Sequence, residues 1–146
     1  MKSLILLITV FILSGQTYAQ DLSAHRWENR VLIIKVKERL AAPDYSLQLH
    51  VLENDRKGML ERKLVVYLIE DGMYNYQDLK VDNKGWRYVD PELKALLDSK
   101  KEFQVLLLGL DGGVKLNRDS YIPQDELFRI IDSMPMRASE MRKKKG

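Results

Sequence analysis

The sequence predicts an α/β fold in which helices cover both faces of a mixed central sheet, a three-layer α/β/α sandwich. A short run rich in β-branched residues at 31–36 and a continuous apolar run at 64–69 are typical of strands buried on both faces. A helical pattern between them predicts a βαβ unit with parallel strands. The stretch FQVLLLGLDGGVKL, residues 103–116, predicts a third buried strand that turns back at Asp111-Gly112-Gly113, because glycine supplies the positive φ angles of a tight hairpin.

The helix of the βαβ unit is predicted to begin at Pro43 and Asp44. Proline is tolerated in a first helical turn, and an acid there favours the positive end of the helix dipole. We expect this helix to run to about Asn54 and to end at Arg56-Lys57-Gly58. Its inward stripe comprises Tyr45, Leu49 and Leu52.

Residues 73–89 leave two alternatives open. Asp82-Asn83-Lys84-Gly85 is either the tip of a hairpin or part of an irregular surface loop. A helix then begins with Asp90 as its cap and continues to about Lys100. The aromatic residues that flank the tip are Tyr74, Tyr76, Trp86 and Tyr88, and the buried face of the helix comprises Leu93, Leu96 and Leu97.

The last predicted helix opens at Pro123, and Pro135 is expected to stop it. Its inward stripe comprises Leu127, Ile130, Ile131 and Met134. Met136 to Gly146 are predicted to add at most a short frayed helix. The basic residues 142–145 then form a solvated, disordered end.

The N-terminus has the pattern of a secretory signal peptide at residues 1–19. Lys2 precedes a largely apolar stretch at residues 4–13, and small residues follow up to Ala19. The stretch is too short for a membrane span, which needs about 20 residues. We therefore expect cleavage after Ala19, a secreted or periplasmic protein, one domain over residues 20–140 and a basic tail over residues 141–146.

Charge and cysteine content exclude two classes of function. The chain has 24 Lys and Arg against 21 Asp and Glu, but leaving out Lys2 and residues 142–145 gives a body with 19 basic and 21 acidic residues. A near-neutral body in an exported protein argues against nucleic acid as the partner. The sequence has no cysteine, which excludes thiol redox chemistry and leaves packing as the source of stability.

Four motifs resemble a known family. They are Arg30-Val31-Leu32, Glu61-Arg62-Lys63-Leu64-Val65-Val66, Asp111-Gly112-Gly113-Val114-Lys115-Leu116 and Ile131-Asp132-Ser133-Met134-Pro135-Met136-Arg137. Together they resemble the exported bacterial family labelled domain of unknown function 4174, and a related domain occurs in the vertebrate sushi-repeat matrix proteins. The order of predicted elements is that of the thioredoxin core. The resemblance implies a thioredoxin-like fold and no established activity.

A thioredoxin-like fold implies where a redox site would lie. In thioredoxins the Cys-Gly-Pro-Cys motif follows the first core strand, and a cis-proline before the third core strand faces it. In this chain Ala41-Ala42-Pro43-Asp44 takes the first position and about Gln104 the second. Neither a thiol nor the proline is present, so these are former redox-site positions. Thiol exchange needs a thiolate, which Ala41 does not offer.

Two groups are candidates for an interaction surface. The aromatic cluster of Trp86, Tyr88, Tyr74 and Tyr76 is either a contact surface or a roof over the sheet. Met136 beside Arg137 offers an adaptable contact surface, although the end of a helix explains both residues without a partner.

Other candidate sites have simpler interpretations. His25 and His50 lack the spacing of metal ligands, which indicates surface-polar roles. Asp111-Gly112-Gly113 precedes a strand rather than a helix, so it is a hairpin turn and not a phosphate-binding loop. We therefore predict no catalytic, metal or cofactor site.

The sequence leads to one preferred function and two alternatives. We expect an exported binding or envelope-interaction module without redox capability, which is a monomer or weak oligomer. Its partner is an unknown protein or envelope component, not nucleic acid, and it has no membrane span. One alternative is an enzyme of non-thiol chemistry that uses Lys37, Arg39 and Asp44 near the strand ends. The other is a purely structural or regulatory envelope protein.

Overall fold

In the part of the chain that the structure describes, six strands and five α-helices form a mixed α/β structure. The computed structural model describes residues 22–77 and 85–145. The strands are β1 (Arg30–Val36), β2 (Leu64–Glu70), β3 (Met73–Gln77), β4 (Trp86–Tyr88), β5 (Phe103–Leu108) and β6 (Val114–Arg118). The helices are α1 (Pro43–Asn54), α2 (Arg56–Glu61), α3 (Pro91–Leu96), α4 (Gln124–Asp132) and α5 (Pro135–Lys145), and short 3₁₀ helices span Leu22–His25 and Arg39–Ala41. The predicted signal peptide lies outside the described residues.

The strands form one sheet in the order β4-β3-β2-β1-β5-β6. Strands β1 and β2 are parallel, with Val31 opposite Val65, and every other pairing is antiparallel. The prediction that the three apolar runs share a mixed sheet is confirmed. Continuous burial of β1 and β5 explains why their sequences lack alternation.

Helices pack on both faces of the sheet. On one face, Tyr45 of α1, Met59 of α2 and Leu127 of α4 join the cluster of buried side chains that contains Leu32 and Leu107. On the other face, the buried cluster contains Leu93 of α3, Leu22, Ile33 and Leu106. Burying one such side chain contributes about 1.5–3 kcal/mol, so the two clusters supply the main favourable contribution to folding.

The predicted end of the first helix near Asn54 is confirmed, but Arg56-Lys57-Gly58 begin a second helix instead of a non-helical stop. Helix α1 does end at Asn54, but Asp55 then caps a second helix by accepting a hydrogen bond from the Gly58 amide at 2.7 Å. A Cβ at Gly58 would lie 2.4 Å from an oxygen of Asp55, so the glycine serves the cap rather than a stop. Helix α3 is also shorter than expected, because it ends at Leu96 rather than near Lys100.

Pro135 begins a helix as well as following one. Helix α4 ends at Asp132, and helix α5 begins at Pro135. Proline is tolerated there because a residue in the first helical turn has no intrahelical partner for a backbone N–H group. The expectation of a disordered basic end is wrong, since residues 142–145 are helical. Cations in a last helical turn interact favourably with the negative end of the helix dipole, which stabilises the helix. In addition, Lys144 pairs with Glu61 at 3.5 Å.

Two predictions concern pairs of adjacent strands, one at residues 73–89 and one at residues 103–116. Strands β3 and β4 pair antiparallel, as the hairpin alternative for residues 73–89 requires. Residues 78–84, which contain most of the predicted tip, lie outside the described residues. The hairpin of β5 and β6 is confirmed, with Gly112 at a φ of 79° and the Gly109 amide donating to the Gly113 carbonyl at 2.9 Å. Across residues 22–77 and 85–145, none of the helices combines the length and the apolar character that crossing a bilayer requires.

Candidate functional site

Two of the three positions that the sequence assigns to a former redox site, Ala41 and Asp44, line one cleft. Ala41 and Asp44, at the beginning of α1, line a cleft of about 310 Å³ together with Phe103 at the beginning of β5. The pairing of Val36 with Phe103 brings these two segments together. Its lining also includes the carboxylates of Glu102 and Asp119 and the ammonium of Lys101, but no thiol.

Gln104 does not line this cleft. Its side chain is buried, accepts a hydrogen bond from the Asp98 amide at 2.9 Å and donates to Asn117 at 3.1 Å. It therefore connects β5 to the loop before it and to β6. The side chain that faces the beginning of α1 belongs to its neighbour Phe103.

A polar cluster that the sequence did not reveal lies at the carboxyl end of β2. The Tyr45 hydroxyl donates to the Glu70 carboxylate, and Arg39 pairs with the same oxygen at 2.5 Å. Burial raises the pKa of Tyr45 well above its usual value, and the hydrogen bond to Glu70 raises it further. Tyr45 is therefore a hydrogen-bond donor and not a general base at neutral pH.

A second cleft, of about 490 Å³, lies beside the carboxyl ends of β1 and β2 and is lined by Lys35, Lys37, Lys94, Val89 and Leu97 among others. Lys35 donates to the Asp98 carbonyl at 2.8 Å and to the Lys101 carbonyl. Burial lowers the pKa of Lys35, although the carboxylates of Asp98 and Glu102 offset part of that effect. The Lys35 ammonium thus holds the loop before β5 in place.

The opposite end of β1 carries an ion-pair network, defined here as the arginines Arg30, Arg62 and Arg137 with the acids Asp132 and Glu140. Asp132 accepts from Arg62 at 2.6 Å and from Arg137 at 3.0 Å. Glu140 accepts from Arg30 at 3.3 Å and lies 3.5 Å from Arg137. Arg137 also donates to the Glu61 carbonyl at 2.8 Å. The network fastens α4 and α5 to the beginnings of β1 and β2.

The pKa of Asp132 reflects this network. Burial would raise the pKa of this carboxyl, but hydrogen bonds from Arg62 and Arg137 outweigh burial and lower it. The same network also surrounds Arg137, whose side chain is buried. Arg137 is therefore not part of an exposed contact surface, whereas Met136 beside it is 41% exposed.

A third cleft, of about 350 Å³, adjoins the network. We call it the Arg30 cleft; its walls include Arg30, Trp27, Leu110, Met134 and Met136. Asp111 and Lys115 also line it and pair with each other at 2.7 Å. All four motifs on which the family resemblance rests contribute residues to the network or to this cleft.

A sequence profile described as Domain of unknown function (DUF4174) matches residues 21–140. The chain belongs to this family. The resemblance drawn from the four motifs is therefore confirmed. No curated protein and no solved structure matches the chain.

The aromatic cluster of this DUF4174 domain does not form one surface. Tyr74 and Tyr76 pack on the sheet face that also buries Leu93. Because successive residues of a strand point to opposite faces, the pairing of Tyr74 with Arg87 sends Trp86 and Tyr88 to the other face. Trp86 is 40% exposed and Tyr88 is 84% exposed. Tyr74 and Tyr76 therefore roof the sheet, and only Trp86 and Tyr88 remain available as a candidate contact surface.

The two histidines differ. His50 is exposed, in agreement with its predicted surface-polar role. That role is wrong for His25, whose Nε2 lies 2.8 Å from the Tyr67 hydroxyl and whose ring packs against Tyr76. Within the described part of the chain, no three His, Cys, Asp or Glu side chains form a group that could hold a metal ion.

Proposed function

We propose that this DUF4174 domain is an exported, thioredoxin-like module without redox capability that binds a protein or envelope component. The order β2-β1-β5-β6 supports the thioredoxin-like part of the proposal, since β1 and β2 are parallel and β5 and β6 antiparallel to their neighbours. Placement of α1 and α4 on one face and α3 on the other agrees with that arrangement. The pattern of residues 1–19 supports export.

The observation that carries the binding role is the exposed aromatic pair on β4. Trp86 and Tyr88 stand on the same face of a three-residue strand at the edge of the sheet. Large aromatic side chains dominate contact energies in protein interfaces. An edge strand also presents backbone donors and acceptors to a partner. The proposed partner surface is therefore the β4 face with Trp86 and Tyr88.

A photo-crosslinking experiment tests this role. A photoreactive phenylalanine analogue replaces Tyr88 in the full chain, which is expressed and irradiated in its native host. The same analogue at Leu47, an exposed position on the outside of α1, is the matched control. We expect a discrete adduct from position 88 that position 47 does not give and that Trp86→Ala weakens. Equal patterns from both positions, or no adduct from position 88, would refute the proposed surface.

Export has its own test. Sequencing the N-terminus of the protein recovered from the host should give Gln20 as the first residue. Recovery of the chain in the cytoplasm with residues 1–19 attached would contradict export without touching the proposed binding surface.

The enzymatic alternative gains little from the geometry. Lys37 lines the 490 Å³ cleft, whereas Asp44 lines the 310 Å³ cleft on the other side of the strand ends. Arg39 is engaged by Glu70. A general acid needs a carboxyl whose pKa is raised, but the shifts at Asp111 and Asp132 run downward.

A further inference from the structure

Arg30 is a charged side chain with no solvent exposure, and only part of its guanidinium is used. Its Nη1 donates to the Arg62 carbonyl at 2.9 Å and to Glu140 at 3.3 Å. Its Nε and Nη2 are buried and have no hydrogen-bond partner within the described residues. Buried polar groups are nearly always paired, so this half of the guanidinium needs an explanation.

The two unpaired atoms have a chemical meaning. The N–H groups of Nε and Nη2 point to the same side of a planar guanidinium and form a fork. That fork matches the two oxygens of a carboxylate, which it binds through two parallel charge-assisted hydrogen bonds. The missing partner of Arg30 therefore has the chemistry of an oxyanion.

The remaining walls of the Arg30 cleft restrict the kind of anion. Leu110, Met134 and Met136 make much of the wall apolar. Lys115 and Asp111 neutralise each other at 2.7 Å, so they add no net charge. A cleft of about 350 Å³ has room for about a dozen water-sized groups at ~30 Å³ each. These features favour a small monoanion with an apolar body over phosphate or a polyanion.

Trp27 supplies an independent observation. It stands at the same cleft, is 59% exposed and has a φ of 70°, a left-handed conformation that bulky residues rarely adopt. Its amide donates to the Leu110 carbonyl at 2.6 Å, which holds the indole at the rim. Unfavourable backbone conformations of this kind are concentrated at ligand sites.

We infer that the Arg30 cleft binds a small amphipathic carboxylate, whose carboxylate is received by Nε and Nη2 of Arg30 and whose apolar body lies against Met134, Met136 and Trp27. Because Arg30 is fully buried, binding requires the cleft wall to open. The thioether side chain of Met136 is partly exposed and intrinsically flexible, so rotation of this side chain is the proposed way to open the wall. This site is separate from the proposed partner surface on β4.

The test uses the full chain and octanoate as the probe, with octanamide and acetate as matched controls. Octanamide keeps the apolar body without the charge, and acetate keeps the charge without the body. Trp86→Phe leaves Trp27 as the reporter indole, since the chain has two tryptophans. We expect a saturable change in Trp27 fluorescence with octanoate, binding of octanamide at least about tenfold weaker, and no response to acetate at the same concentrations.

Variants measured by calorimetry complete the test. Arg30→Lys keeps the charge but loses the fork, and we expect about tenfold weaker octanoate binding. Met136→Trp fills the cleft without touching the network, and we expect loss of binding. Leu40→Trp, at a residue that is 96% exposed, is the control and should bind normally. If Arg30→Lys fails to fold, Met136→Trp decides alone.

Any one of the following outcomes would overturn the inference. They are the absence of saturable octanoate binding, equal affinity for octanamide, an equal response to acetate or inorganic phosphate, and retained binding in Met136→Trp. Equal octanamide binding would mean that Arg30 contributes nothing, and an equal acetate response would mean an adventitious anion site. Each outcome leaves the photo-crosslinking result at position 88 unaffected.

Discussion

Asp132→Asn tests the ion-pair network, because this carboxylate serves two arginines at once. The side-chain oxygen of asparagine can accept a hydrogen bond from Arg62 or from Arg137. The side-chain NH₂ group of asparagine then faces the N–H group of the other arginine, and two donors cannot form a hydrogen bond. A charge-assisted hydrogen bond contributes roughly 1.5–3 kcal/mol when buried. The carboxylate is 31% exposed, so we take the lower end for each of the two bonds.

Two corrections reduce the expected effect. Asparagine keeps one neutral hydrogen bond, which retains about 1 kcal/mol. A carboxylate in the last turn of α4 also opposes the helix dipole, and its removal recovers roughly 0.5 kcal/mol. The variant should therefore lose about 1.5 kcal/mol of unfolding free energy, which lowers the urea midpoint by about 0.7 M at a slope near 2 kcal/mol per M.

The matched control is Asp125→Asn on the same helix. Asp125 is 78% exposed and lies 3.4 Å from Arg129, so its removal should cost about 0.5 kcal/mol. The difference between wild type and Asp132→Asn should also depend on pH. Because the folded state lowers the pKa of Asp132 below 3.8, its stabilisation is complete above that value and is lost as the pH falls through the folded pKa. Equal urea midpoints for the two variants, or a difference from wild type that does not shrink as the pH falls below 3.8, would refute this reasoning.

Two further predictions concern buried polarity and the former redox position. Gln48→Leu should cost about 2–3 kcal/mol in urea unfolding, because Gln48 is buried and pairs both backbone groups of Ile122, accepting from its amide at 2.7 Å and donating to its carbonyl at 3.3 Å. Gln48→Glu, which keeps only the acceptor, is its control. The double substitution Ala41→Cys and Asp44→Cys should produce a disulfide across the first turn of α1. The variant should then reduce insulin, an activity that wild type lacks. A cysteine pair that stays reduced in air would count against thioredoxin-like geometry at this position.

The strands that the sequence predicted best are those with the least ambiguous environment. Strands β1, β2 and β5 are buried on both faces, so their mostly apolar sequences lack polar–apolar alternation and local pattern alone identifies them. Strand β4 has three residues, all exposed, and carries no periodic burial that a sequence pattern can detect. Its existence depends on pairing with β3, which is a tertiary property.

The candidate site was harder to predict because its partners are far apart in sequence. Arg30 and Glu140 are separated by 110 positions, and an arginine before an apolar run is ordinarily read as a surface residue. The motifs did mark the right segments, since they contain Arg30, Arg62, Asp132 and Arg137. These side chains are buried or partly buried because α5 packs against the beginning of β1, and the sequence pattern does not show that contact. His25 was misread for the same reason, since Tyr67 lies 42 positions away.

Arg30 belongs both to the network and to the cleft, so a single substitution there cannot separate scaffold from site. Asp132→Asn weakens the network without altering the walls of the cleft, and it should lower stability while leaving octanoate affinity nearly unchanged. Met136→Trp alters the cleft without touching an ion pair, so it should abolish octanoate binding at wild-type stability. Arg30→Lys should show both losses. If Asp132→Asn instead weakened octanoate binding as much as Arg30→Lys, the two unpaired nitrogens of Arg30 would be a consequence of network geometry and not a receptor for a carboxylate.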